Sequence, residues 1–237
     1  IIYYNGKVKS KLDKDNDEFK NINTLLIFLD EIRDKNIIDI EKKLIAINKK
    51  GVVLLEAKGI DEIIYKRNLA FSLINRYNIN ILKGTKEEIN SLIALEDNEK
   101  NKNFNYRNFA KTNDCILIIK DKKYYITDGY SEFYIKNKNK YFNDEEYIDN
   151  IYTGVLASSI GICNNKSEII QSVLISTLSF YIAQEASIEL FKYQFEDDID
   201  KNDINLVNEY LLEEISKINV DKIKSYGDVE YYFKRNR

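Results

Sequence analysis

Residues 152–159, Tyr-Thr-Gly-Val-Leu-Ala-Ser-Ser, hold the pattern with the most chemical promise in this chain. A polar segment rich in Asn, Asp and Glu (143–150) precedes them, and a long apolar segment running to about Leu190 follows. Glycine lets a backbone come close to an anion, and the first N–H groups of a helix have no partner of their own. A phosphate-binding turn is therefore expected at Thr153-Gly154, with a helix starting there. Val155 follows the glycine and cannot accept a proton.

A second set of candidates sits where short apolar runs end. Leu29 is followed by Asp30-Glu31, and Leu55 by Glu56-Ala57-Lys58-Gly59. Lys83-Gly84-Thr85-Lys86-Glu87-Glu88 and Lys120-Asp121-Lys122 close two further runs. Carboxylates in such loops suit magnesium, which binds through one or two acids plus phosphate oxygens. Lysines suit phosphate charge. Polar loops at strand ends are common in any fold, so the order of the four carries more than each alone.

The elements that must position these residues alternate. Strands are expected at Thr24–Leu29, Val52–Leu55, Asn80–Lys83 and Cys115–Ile119, from short apolar runs with polar borders. Helices are expected at 34–50, 61–77 and Lys86–Leu95, with Gly51 as a C-cap, Gly84-Thr85 as a turn and 97–108 as a polar loop. Tyr124–Thr127, Glu132–Lys136 and Lys140–Phe142 suggest an antiparallel meander turned at Asp128-Gly129. Helices at Thr153–Ile162, Glu168–Leu190 and Leu206–Ile218 complete the chain, with an acidic loop at 194–204. The predicted class is α/β: one domain over 1–237 with a mostly parallel central sheet and helices on both faces. Ligands of such sheets bind beyond the carboxyl ends of the strands.

Composition narrows the function classes. The chain has 237 residues, 44% of them hydrophobic, and a net charge of −3. Lysines and acids are interleaved with no basic face, which argues against nucleic acid as a partner. No apolar run reaches the ~18–20 residues of a membrane span. Two cysteines and no histidine speak against a structural zinc site, and free thiols fit a cytoplasmic location. Histidine's absence also removes the commonest general base near neutral pH. Pro, Met and Trp are missing too. Since residue 1 is not Met, the chain is expected to be a fragment or a processed product.

The ordered motifs resemble hydroxyethylthiazole kinase, a thiamine-salvage member of the ribokinase-like superfamily, over about Thr24 to Ile218. The family's Asp-Pro-Val-Gly matches Glu56-Ala57-Lys58-Gly59, and its Arg-Gly-Asn-x-x-Glu-Ile matches Lys83-Gly84-Thr85-Lys86-Glu87-Glu88-Ile89. A segment close to Asp-Tyr-Ile-Thr-Asp-Gly matches Tyr124–Gly129. The Gly-Thr-Gly-Cys anion hole falls on Tyr152–Val155, and Gly-Ile-Ala-Gly-Glu on Tyr181–Glu185.

The resemblance implies ATP and magnesium as cofactors and a thiazole or related alcohol as substrate. Glu56 and Glu88 would hold magnesium, and Gly59 would line the substrate site. Lys83, Thr85, Lys120, Thr153 and Gly154 would meet nucleotide and phosphate. It also implies a homotrimer, and an N-terminal substrate segment that has no counterpart here. The departures fall on the chemistry. Val155 replaces the cysteine base, Tyr152 replaces a glycine and its ring would fill the phosphate path, and Lys120-Asp121 replaces Thr-Gly. Lys83 keeps the charge of an arginine without its fork. Three functions stay open: a weak or inactive thiazole kinase, a pseudokinase that binds without turnover, and a structural subunit of an oligomer. Pyrimidine kinases and nucleotide-repair dehydratases of the same superfamily are further alternatives.

Overall fold

Val52-Val53-Leu54-Leu55 and Ile116-Leu117-Ile118-Ile119 have no polar face, so strands made from them need cover on both sides. The computed structural model, which describes residues 22–47, 51–96, 105–136, 146–195 and 203–233, provides it. Val53, Leu55, Leu82, Leu117 and Ile119 join one apolar cluster, while the alternate residues Leu54, Ile81, Ile116 and Ile118 are equally buried on the opposite face.

The fold is α/β, with a seven-stranded, mostly parallel sheet flanked by helices, as the alternation of elements predicts. Its strands lie in chain order: β1 (Thr24–Phe28), β2 (Val52–Glu56), β3 (Ile81–Thr85), β4 (Ile116–Lys120), β5 (Lys123–Thr127), β6 (Ser131–Lys136) and β7 (Val229–Phe233). β1 to β4 are parallel, and β5 runs antiparallel to β4. Their crossovers carry α1 (Asp34–Ile47), α2 (Ile64–Arg76), α3 (Lys86–Glu96) and α4 (Tyr106–Thr112). The parallel register sets Phe28 beside Glu56, Glu56 beside Lys83, and Thr85 beside Lys120, so the carboxyl ends of four strands fall along one edge.

The chain divides into two compact units. One holds β1–β5 and α1–α4. The other holds α5 (Glu146–Ile160), α6 (Lys166–Phe195), α7 (Ile204–Ser216) and α8 (Val220–Tyr226). Within the second, α6 is the long central element, about 45 Å at 1.5 Å per residue. Tyr152 of α5 is fully buried against it, its hydroxyl 2.7 Å from Thr177 Oγ1 and its ring 5.1 Å from that of Phe180. Ser159 and Ser176 share a 2.6 Å hydrogen bond between the same two helices. Among the described residues no helix is long and apolar enough to cross a membrane.

Several expected boundaries are corrected. Thr153 and Gly154 do not form a turn; they lie inside α5. Ile148, Ile151, Tyr152, Val155 and Leu156 are all buried, and that i, i+3, i+4 spacing starts the helix one to two turns earlier. Gly84-Thr85 is likewise no turn, because β3 runs through Thr85 and α3 begins at Lys86. The polar stretch before Cys115 folds as α4, capped by the Asn105 side chain on the Asn108 N–H (2.9 Å). α6 continues past Leu190 to Phe195, and α8 and β7 were not anticipated. The expected strand at Lys140–Phe142, and residues 97–104, lie outside the described residues.

Gly154 tests the corrected helix. A Cβ there would meet nothing within 4 Å. Glycine costs about 0.5–1 kcal/mol against alanine inside a helix. Gly154→Ala is therefore expected to raise stability by about that amount in urea unfolding, whereas a loss would contradict the helix. Gly129→Ala is the opposite control. Its φ of +88° and a Cβ 2.7 Å from the Lys111 Cα predict a loss of about 1–3 kcal/mol.

Candidate functional site

Glu56 ends β2 and Lys83 sits next to it in β3, side by side in the parallel register. Both side chains are buried, at 4% and 1% exposure. Lys83 Nζ donates to Glu56 Oε1 and Oε2, each at 2.9 Å. An ion pair this deep keeps its charges only because each partner neutralises the other. The expected division of labour, Glu56 for metal and Lys83 for phosphate, gives way to a mutual pairing.

Glu88 is spoken for in a different way. Thr85 and Glu88 form a capping box at the start of α3: the Glu88 N–H donates to Thr85 Oγ1 (3.3 Å), and Glu88 Oε2 accepts the Thr85 N–H (2.7 Å). The other oxygen, Oε1, accepts the Gly59 N–H at 2.7 Å. One buried carboxylate thus ties the β2–α2 loop to the β3–α3 junction. Gly59 has a φ of +72°, which suits glycine at this bend. Gly84 lies against the clamp: a Cβ there would be 3.1 Å from both Glu88 Oε2 and Ala57 Cβ.

Cationic groups collect around this frame. Lys58 Nζ stands 3.6 Å from Asp30 Oδ2, and Lys66 Nζ donates to the Asp30 carbonyl at 3.3 Å. Lys86, the first residue of α3, pairs at 3.2 Å with Asp121 in the turn that follows β4. The Lys122 N–H and then Lys86 hold the Asp121 carboxyl below its usual range, against partial desolvation, while Asp121 raises Lys86. A depressed carboxyl of this kind adds stability above its unfolded pKa, and that stability is lost as pH falls through the folded value. Lys120 ends β4 beside Thr85.

Lys66 was not anticipated from sequence. The signal for it was present: α2 follows Ile63 at its N-cap position with no side-chain cap and no acid in its first turn, and places Lys66 there instead. Cations against a helix N-terminus oppose the dipole, which is unusual without an anion or acid nearby. Among the described residues, Asp30 Oδ1 and Arg67 Nε are also buried without a hydrogen-bond partner.

Thr153, Gly154 and Val155 belong to the other unit and offer a different picture from the one expected. Thr153 Oγ1 donates back to the Asp149 carbonyl (2.9 Å), a mid-helix habit. Val155 is buried, and the Tyr152 ring packs against Phe180 of α6. Mid-helix N–H groups are used within the helix and are not available to an anion.

The carboxylates do not fit a resident magnesium site. Both oxygens of Glu56 face an ammonium and both oxygens of Glu88 face backbone N–H groups. Among the described residues no group of three or more Asp, Glu, His or Cys is placed to hold a metal ion.

Known structures agree with the architecture. Hydroxyethylthiazole kinase from Pyrococcus horikoshii OT3 superposes with a TM-score of 0.75 at 15% identity, covering 92% of this chain and 80% of its own. The fold is that of the ribokinase-like kinases. Adenosine kinase from Sinorhizobium meliloti follows at a TM-score of 0.52 and 11% identity, covering 70% of this chain and 51% of its own. No protein-family model matches the sequence, and no curated protein matches it.

The buried pair sets a test of this ribokinase-like frame. Lys83→Met leaves the Glu56 carboxylate buried without its cation and is expected to cost about 3–5 kcal/mol in urea unfolding. The double variant Glu56→Leu/Lys83→Met is expected to lose less than Lys83→Met alone. Additive losses would show that the two groups are not coupled.

Proposed function

We propose that this chain binds a nucleotide, or a similar phosphorylated small molecule, at the carboxyl ends of β1–β4, with little or no phosphoryl transfer. The ribokinase-like fold and the lysines gathered at those ends support binding there. Lys58, Lys66, Lys86 and Lys120 are the residues for phosphate charge. Magnesium, where used, would travel on the nucleotide phosphates, since Glu56 and Glu88 are engaged elsewhere.

One observation carries the loss of turnover. By the sequence resemblance Val155 stands where a catalytic base would be expected, and it is buried inside α5, preceded by a glycine whose N–H is helical. General base catalysis is typically worth about 10²–10⁴-fold, and donors aimed at the moving phosphoryl group contribute further. A second reading is an active hydroxyethylthiazole kinase of thiamine salvage. The likeness to the Pyrococcus enzyme favours it, and phosphoryl transfer relies more on positioning and charge than on a base.

Calorimetry with magnesium–ATP, with and without hydroxyethylthiazole, followed by an ADP-release assay, separates these readings. Saturable micromolar binding is expected, with release at least about 100-fold slower than the roughly 1–100 s⁻¹ of kinases. Lys58→Ala/Lys66→Ala is expected to weaken ATP binding by about tenfold, the equivalent of one charge-assisted contact. Thiazole-dependent release at a kinase rate would establish the second reading. Absence of heat from folded protein would rule out both.

A further inference from the structure

Two carboxylates stand where a kinase of this fold would be expected to keep magnesium, and each has its oxygens committed to the protein itself. We infer that Glu88 is a positioning residue, a metal-free clamp that fixes the β2–α2 loop against the start of α3. On the same geometry, Lys83 supplies from inside the protein the positive charge that a metal would otherwise bring to Glu56.

The argument rests on the direction of each bond. Glu88 receives N–H groups from two loops, Gly59 after β2 and Thr85 at the end of β3. Both contacts are 2.7 Å, and the carboxylate is 93% buried by its 7% exposure. Each oxygen of this buried carboxylate is already engaged by a backbone N–H, so a hydrated divalent cation would have to compete with both contacts. Glu56 is satisfied by an ammonium at equal distance from both oxygens. The clamp matters for a ligand because Lys58 precedes Gly59 and Lys86 follows Thr85. Glu88 therefore sets how far apart two lysines begin. That last step rests on the nucleotide-binding reading; the clamp and the absence of a resident metal site do not.

The test needs no nucleotide. Manganese alone is titrated into the wild-type chain and followed by loss of the free-ion electron paramagnetic resonance signal. Amide hydrogen exchange is then measured at Gly59 and Thr85 in the wild type and in Glu88→Gln. No micromolar manganese site is expected in the wild type, and exchange at one or both amides is expected to speed up by about tenfold or more in the variant, since glutamine keeps one acceptor oxygen and loses the other. Micromolar manganese binding to the wild-type chain would overturn the inference. So would unchanged exchange at both amides in a folded variant. The manganese arm uses only wild-type protein, so it stands even if the variant does not fold. A chain that binds no nucleotide but behaves as expected here would fail the functional proposal and keep this one.

Discussion

A carboxylate at the end of β2 and an ammonium buried beside it in the middle of β3 constrain everything around them. Each charge in an apolar interior would cost several kcal/mol alone, so Glu56 and Lys83 must stay together for either to stay ionised. Their pairing requires β2 and β3 to be parallel and in the observed register, since a slip of one residue would turn one side chain to the opposite face. The register in turn puts Phe28, Glu56, Lys83, Thr85 and Lys120 along a single edge. The loops that could meet a ligand all leave from that edge.

Glu88 extends this order from the strands to the loops. A capping box normally serves its own helix, using one carboxylate oxygen to satisfy one donor. Here the second oxygen reaches a loop from a different crossover. The same residue therefore stabilises the helix start and fixes the neighbouring bend at Gly59. Such a frame is rigid and polar where it faces the protein, and cationic where Lys58, Lys66 and Lys86 leave it. That arrangement suits holding an anionic ligand.

The sheet was largely legible in the sequence, because strands covered on both faces are written as unbroken apolar runs. Val52–Leu55 and Ile116–Ile119 left no alternative period to follow. The helical start of α5 was obscured by a local signal. Thr153-Gly154 looks like punctuation, yet the buried period from Ile148 through Leu156 passes straight across it. Tertiary burial outweighed the turn preference of one glycine, whose cost in a helix is only about 1 kcal/mol. At the site, residue types were visible but partnerships were not. Sequence shows that Glu56, Lys83 and Glu88 are charged and near strand ends. Only the register and the φ of Gly59 reveal that the first two face one another and the third faces backbone. Lys66 was missed because it sits within a helix whose unusual feature is the lack of a cap.

The most direct measurement is amide chemical-shift mapping of the folded chain during titration with ATP. The account predicts the largest shifts after β2, β3 and β4, in the loop at Lys58–Ile60, the first turn of α3 at Lys86–Glu88 and the loop at Asp121-Lys122. Thr153–Val155, closed within α5, should move little. Dominant shifts at Thr153–Val155, with the strand-end loops unmoved, would contradict it.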